Sequence, residues 1–167
     1  YYDRIRAACA TRRLQVFYDR GNDFSEADSD IYPMTKHGID FGITVPQNVR
    51  RLRLDPGEAA GGLVLKKLVF ENGKEADFSS NGFPIGNGRY YFGGGDPQFV
   101  IESLPKNTGK LYIEIEVMKE SEAQEAFWTS FSRISAEKDK EIQKLKHQIS
   151  EMKNTKAWKL YRSIKKK

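Results

Sequence analysis

Apolar and polar residues alternate along most of the first 119 positions, and then the period changes. Residues 12–19 put Leu14, Val16 and Tyr18 on one side of an extended chain, a period of two that predicts a β-strand. The same reasoning predicts strands at 39–45, with Ile39, Phe41, Ile43 and Val45 on one side, and at 49–54, with Leu52 and Leu54 inward and Arg51 and Arg53 opposite. Residues 63–71 form the most hydrophobic strand, 89–92 a short aromatic one, and 98–102 and 110–118 the last two. In the final strand Leu111, Ile113, Ile115 and Val117 face one way, and Lys110, Tyr112, Glu114 and Glu116 the other. Turn chemistry separates these segments at Pro46-Gln47-Asn48, Asp55-Pro56-Gly57, Asn72-Gly73 and Gly93-Gly94-Gly95-Asp96-Pro97. Residues 20–32 read as a polar, acidic loop, with Pro33 opposing continuation into a ladder, and 79–88 read as a loop. Seven or eight short strands with no helical period between them predict a mainly β fold, a jelly-roll-like antiparallel β-sandwich, and exclude βαβ units.

From Ser121 to about Lys153 the chain has no Gly and no Pro, and Glu, Lys, Gln and Ala dominate. This predicts a long C-terminal α-helix of roughly 50 Å. Ile142, Leu145, Ile149 and Met152, spaced three, four and three, form the seam of a coiled-coil-like stalk and the candidate oligomerisation surface. The same frame includes Trp128 and Phe131 but is interrupted at Ser135 and Lys138. The organisation expected is thus 1–11 as a linker or the end of an upstream domain, 12–119 as the β-sandwich domain, 120–153 as the helical stalk and 154–167 as a basic aromatic tail. The start at Tyr-Tyr-Asp in place of Met predicts a segment of a longer protein.

Charge changes the picture at the C-terminal end. The seven Lys and Arg residues after Met152 leave −2 for the rest of a chain whose formal charge is +5. A near-neutral body with a basic tail argues against nucleic-acid binding by the β domain. It points the tail toward an anionic partner or solvent. Trp158, Lys159, Tyr161 and Arg162 are the candidate membrane-surface residues, since Trp and Tyr favour the headgroup level and basic side chains favour anionic lipid. A helix docking on an absent domain is the competing reading. No signal peptide and no apolar run of spanning length is visible. The single cysteine, Cys9, excludes an internal disulfide and predicts a cytoplasmic location, peripheral at the inner face of the membrane if the tail binds there.

Candidate chemistry is sparse. The 19–30 loop is rich in oxygen ligands, but its glycine falls too early for a calcium loop and no Glu closes it, so it reads as solvated Asx turns. Gly93-Gly94-Gly95 is followed by no Lys-Ser/Thr, and the histidines, His37 and His147, have no partner at metal-ligand spacing. No enzyme, metal or cofactor is expected of this segment. Phe83, Asn87, Arg89, Tyr90 and Tyr91 form the candidate glycan-binding set, because flat rings beside polar groups suit sugars. Tyr90 and Phe92 share one strand face and Tyr91 takes the other, so at least half of this cluster belongs to the core.

Leu52-Arg53-Leu54-Asp55-Pro56 followed by 62–68, the opening segment 15–26 (Gln15 to Glu26) and Asp96-Pro97-Gln98 carry a family resemblance. Together they resemble the accessory β-sandwich of bacterial cell-surface polysaccharide glycosyltransferases of the rhamnan-synthesis type. Asn154-Thr155-Lys156-Ala157-Trp158-Lys159-Leu160 resembles the segment beside a coiled coil in those proteins, departing at Ala157 and at 161–164. The resemblance implies a non-catalytic module of polysaccharide biosynthesis that binds glycan or positions an upstream transferase domain, and it carries no catalytic residue onto this chain. The alternative is an assembly module whose stalk forms a homo-oligomer and which has no ligand of its own. Beside the resemblance, Asp55-Pro56 caps a strand, and Arg53 can pair with Asp55 or with a ligand.

Overall fold

The computed structural model describes residues 12–57, 60–106, 108–155, 161 and 164. Ten strands among them form two five-stranded antiparallel sheets. They are β1 (Arg13–Asp19), β2 (Ser29–Pro33), β3 (Gly38–Thr44), β4 (Arg51–Pro56), β5 (Gly61–Phe70), β6 (Ser79–Ser80), β7 (Phe83–Gly86), β8 (Arg89–Phe92), β9 (Phe99–Ile101) and β10 (Lys110–Val117). The first sheet runs β2-β1-β4-β9-β6 and the second β3-β10-β5-β8-β7. A long helix, α1, spans Glu120–Asn154, and a short 3-10 turn covers Glu26–Asp28.

The two sheets share one core. Leu14, Val16, Leu52, Leu54, Phe99 and Ile101 enter it from the first sheet, and Ile43, Leu68, Phe70, Leu111, Ile113 and Ile115 from the second. Phe99 takes edge-on contacts from Phe78, Tyr90 and Phe92 at centroid distances of 5.7, 5.3 and 5.8 Å. Such aromatic packing adds to the area buried.

The alternation along β5 changes phase. Leu63 is buried on the odd positions, and Leu68 and Phe70 on the even ones. Opposite the Glu114–Ile115 step the register passes from Lys67 to Leu65, so Lys66 is an extra residue, a β-bulge that returns both halves of the strand to the core.

Three strands lie where the sequence predicts loops. β2 takes up the last part of the predicted acidic loop and ends on Pro33, which an edge strand tolerates because one side of its backbone has no ladder to complete. β6 pairs only through Ser79 and Ser80, too short for any period. β7 and β8 form a hairpin across Asn87-Gly88, whose φ values of 53° and 69° are those of the tight turn that matches strand twist.

The helix begins as part of the β unit, which extends through Phe127, and residues from Trp128 onward form a second compact unit. In the first unit Ala123 is fully buried and lies against Gly62 of β5. Glu120 and Glu122 in the first turn and Lys153 in the last complement the helix dipole. In the second unit Ile142, Leu145, Ile149 and Met152 are all exposed, by 47, 50, 50 and 61%. Among the described residues no helix is long and apolar enough to cross a membrane.

Candidate functional site

The face of the first sheet turned away from the core carries an ordered row of polar side chains. In the β1–β4 pairing Gln15 lies opposite Asp55, Phe17 opposite Arg53 and Asp19 opposite Arg51. Because Leu14, Val16, Tyr18, Leu52 and Leu54 occupy the core side, strand alternation forces these six residues onto the other face.

At one end Arg51 Nε donates to Asp19 Oδ2 at 2.6 Å and its Nη2 to Asp23 Oδ1 at 2.9 Å. Asp19 Oδ1 accepts from the amides of Gly21 and Asp23 at 2.7 and 3.0 Å. The Arg51 bond, then the Gly21 amide, holds the Asp19 carboxyl below the usual carboxylate range. These bonds fold the 20–28 segment back over the sheet, and Arg20 fastens it further through Asp28, at 2.7 Å.

That fold-back walls a polar cleft of about 260 Å³. Its floor is Gln15, Phe17, Arg53 and Asp55, and its rim carries Arg13, Glu26 and Asp96. Arg53 lies 4.0 Å from the Phe17 ring and 5.4 Å from the Phe24 ring, and grips Asp55 with two contacts of 3.0 Å. Gln15 Nε2 donates to Glu26 Oε2 at 2.6 Å and to Ser29 Oγ at 3.0 Å. Asp96, at φ 72°, accepts from Gln98 Nε2 at 2.7 Å, while Asn81 clasps the same turn through the Asp96 carbonyl and the Gln98 amide.

Burial pushes the Asp55 carboxyl up to about 6, against the pull of Arg53 and with help from the negative charges of Asp96 and Glu26. The arrangement offers carboxylate and amide oxygens as acceptors and guanidinium groups as donors, in a space smaller than the roughly 300–1,000 Å³ of drug-sized ligand pockets. Among the described residues no group of three or more His, Cys, Asp or Glu side chains is placed to hold a metal ion.

The glycan candidates read from sequence lie elsewhere. Tyr90 packs into the core against Phe78 and Phe99, at 6.1 and 5.3 Å. Tyr91 and Phe83 both meet Phe127 of α1, at 4.6 and 5.2 Å. Asn87 forms the β7–β8 turn, and Arg89 Nε bonds the Gly86 carbonyl at 3.1 Å within its own hairpin. Of the membrane-surface candidates, Tyr161 is exposed, and Trp158, Lys159 and Arg162 lie outside the described residues. A wider groove of about 970 Å³ runs between the 44–50 and 102–109 loops. Its charged residues Arg50, Glu102 and Lys106 are exposed.

The cleft residues were not singled out together by sequence, yet each lies within or beside one of the segments that carry the family resemblance: Gln15, Phe17 and Glu26 in the first, Arg53 and Asp55 in the second, Asp96 in the third. Comparison of the chain with protein-family models, curated proteins and solved structures finds no match.

Proposed function

We propose that this chain is a non-catalytic glycan-handling module of a bacterial glycosyltransferase-type protein in cell-surface polysaccharide synthesis. The observation that carries the reading is the convergence of the three resembling segments, distant in sequence, on one polar cleft. The module is a jelly-roll-type sandwich. In support of that topology, each strand from β3 to β7 changes sheet relative to the one before, as do β9 and β10.

The cleft favours a neutral sugar. Its three carboxylates outnumber its two guanidiniums, and Arg53 already serves Asp55. Vicinal hydroxyls can donate to Glu26 and Asp96, whereas a uronate or phosphate would meet net negative charge. Asp55 is held by Arg53 and supports the floor of the cleft; it performs no proton transfer in this reading. The module works at the cytoplasmic face, where the basic tail draws it to anionic lipid and the cleft holds a growing chain near an upstream transferase domain.

Titration with neutral and uronate-containing oligosaccharide fragments, followed by amide NMR, tests this reading. The neutral fragments should shift Gln15, Arg53, Asp55 and Asp96 with a dissociation constant from about 0.1 mM to several mM, roughly −3 to −5.5 kcal/mol. Asp96→Asn should weaken binding without unfolding the chain. Shifts centred on Phe83 and Tyr91, or none at millimolar fragment, would reject the cleft.

A second reading is an assembly module without a ligand of its own, oligomerising through the stalk. The observation favouring it is the exposed row Ile142, Leu145, Ile149 and Met152.

A further inference from the structure

We infer that the second unit pairs with a second copy of itself as a parallel, in-register, two-stranded coiled coil. The inference rests on the self-association reading and adds orientation and register to it.

The exposed apolar residues of α1 assign the heptad frame. Ile142 and Ile149 take the a positions, and Leu145 and Met152 the d positions. β-Branched residues at a with Leu at d favour two parallel strands, because each position then meets its own kind in the packing geometry that suits it. In the same frame Glu141 is a g residue and Lys146 the following e residue. A parallel pair sets Glu141 of each copy against Lys146 of the other, which gives two symmetric attractions.

The polar interruption selects the register. Ser135 at a and Lys138 at d lie between the seam and the larger residues Trp128 and Phe131, which occupy the preceding a and d positions and are exposed by 61 and 46%. With the copies in register, Ser135 and Lys138 meet their own counterparts, and Asp139 at the adjoining e position supplies countercharge to the lysines. A slip of one heptad instead places Lys138 against Leu145 or Phe131, which strands an ammonium on an apolar layer. An antiparallel overlap that buries 142–152 on itself sets Lys146 against its own copy and leaves Trp128 and Phe131 beyond the overlap. From Trp128 to Met152, the parallel, in-register pair alone keeps apolar layers with apolar layers.

Sedimentation equilibrium of the whole chain, combined with thiol cross-linking, tests the inference. The chain should show a monomer–dimer equilibrium that Ile149→Asp abolishes. In a Cys9→Ser background, Leu145→Cys should form an intermolecular disulfide under mild oxidation, because parallel d positions face each other. Glu141→Lys should weaken the dimer about fivefold, from two exposed pairs of roughly 0.5 kcal/mol each. Adding Lys146→Glu to it should restore the affinity. A chain that stays monomeric at every concentration overturns self-association itself. A dimer that Ile149→Asp disrupts, but in which the Leu145→Cys thiols do not join and the charge swap does not rescue, overturns the parallel register alone.

Discussion

Phe127 of α1 stacks on Tyr91 of β8, with ring centroids 4.6 Å apart and planes inclined by 28°. Phe83 meets the same ring edge-on at 5.2 Å. The first two turns of the helix therefore belong to the β unit and cover the aromatic side of the β7–β8 hairpin. Phe127→Ala should lower the unfolding free energy by about 2 kcal/mol, less than the roughly 3–5 kcal/mol typical of a fully buried ring. Chemical denaturation of the whole chain measures it. Ending the chain after Lys119 should cost more, because Ala123 leaves with Phe127. An unchanged denaturation midpoint in the shortened chain would show that the helix contributes nothing to the sheets.

Gly62 of β5 lies directly against Ala123 of the helix. A Cβ added at Gly62 would overlap the Ala123 methyl and stand 2.9 Å from Met118 Sδ. Gly62→Ala should destabilise the chain by about 1–3 kcal/mol through overpacking. Ala123→Gly should recover part of the loss in the double variant, since the methyl is only one of the two obstacles. Additive losses in that cycle would mean that the two positions do not touch.

Stability should respond to Asp55 in mildly acidic solution. Its folded-state value near 6 lies above the ordinary 3.8, so between these values the folded chain holds a proton that the unfolded chain releases. The contribution of Asp55 is full below about pH 4 and is lost as pH rises through 6. A gap of this size between the folded and unfolded chain corresponds to on the order of 3 kcal/mol. Denaturation between pH 4 and 7 should thus show the wild type gaining on Asp55→Asn as pH falls. Asp19, held low by Arg51, acts in the opposite sense but only as pH falls below the ordinary carboxylate range. A difference between wild type and Asp55→Asn that stays flat across this window would contradict the burial of the carboxyl.

The basic tail should bring the chain to anionic vesicles. Flotation with phosphatidylserine-containing liposomes should recover protein, with less recovery at high salt and after Trp158→Ala. Equal recovery with neutral and anionic vesicles would reject an electrostatic contact.

Much of the fold is legible in the sequence because burial on one face imposes a period that a reader can count. Leu52 and Leu54 inward, Arg51 and Arg53 outward, and Leu111, Ile113 and Ile115 inward follow from alternation alone. The absence of Gly and Pro after Ser121 likewise suffices for a helix from Glu120 to Asn154. The missed strands carry weaker signals. β2 is an edge strand ending in Pro33, β6 has two residues, and Asn87-Gly88 held a hairpin signal hidden among neighbouring glycines.

The sequence by itself determined the two characters of this chain, alternating then helical, because each is a local period fixed by backbone geometry. The Arg53–Asp55 pair was also within its reach, since residues two apart on a strand share a face. Only the tertiary structure decided that Phe83 and Tyr91 sit beneath Phe127, and that Gln15, Glu26, Arg53, Asp55 and Asp96 line one cleft. Those relations depend on which strands become neighbours and on how the Asp19–Arg51 pair folds the 20–28 segment over the sheet. No period along the chain encodes them, because they are set by packing between segments that the sequence keeps far apart.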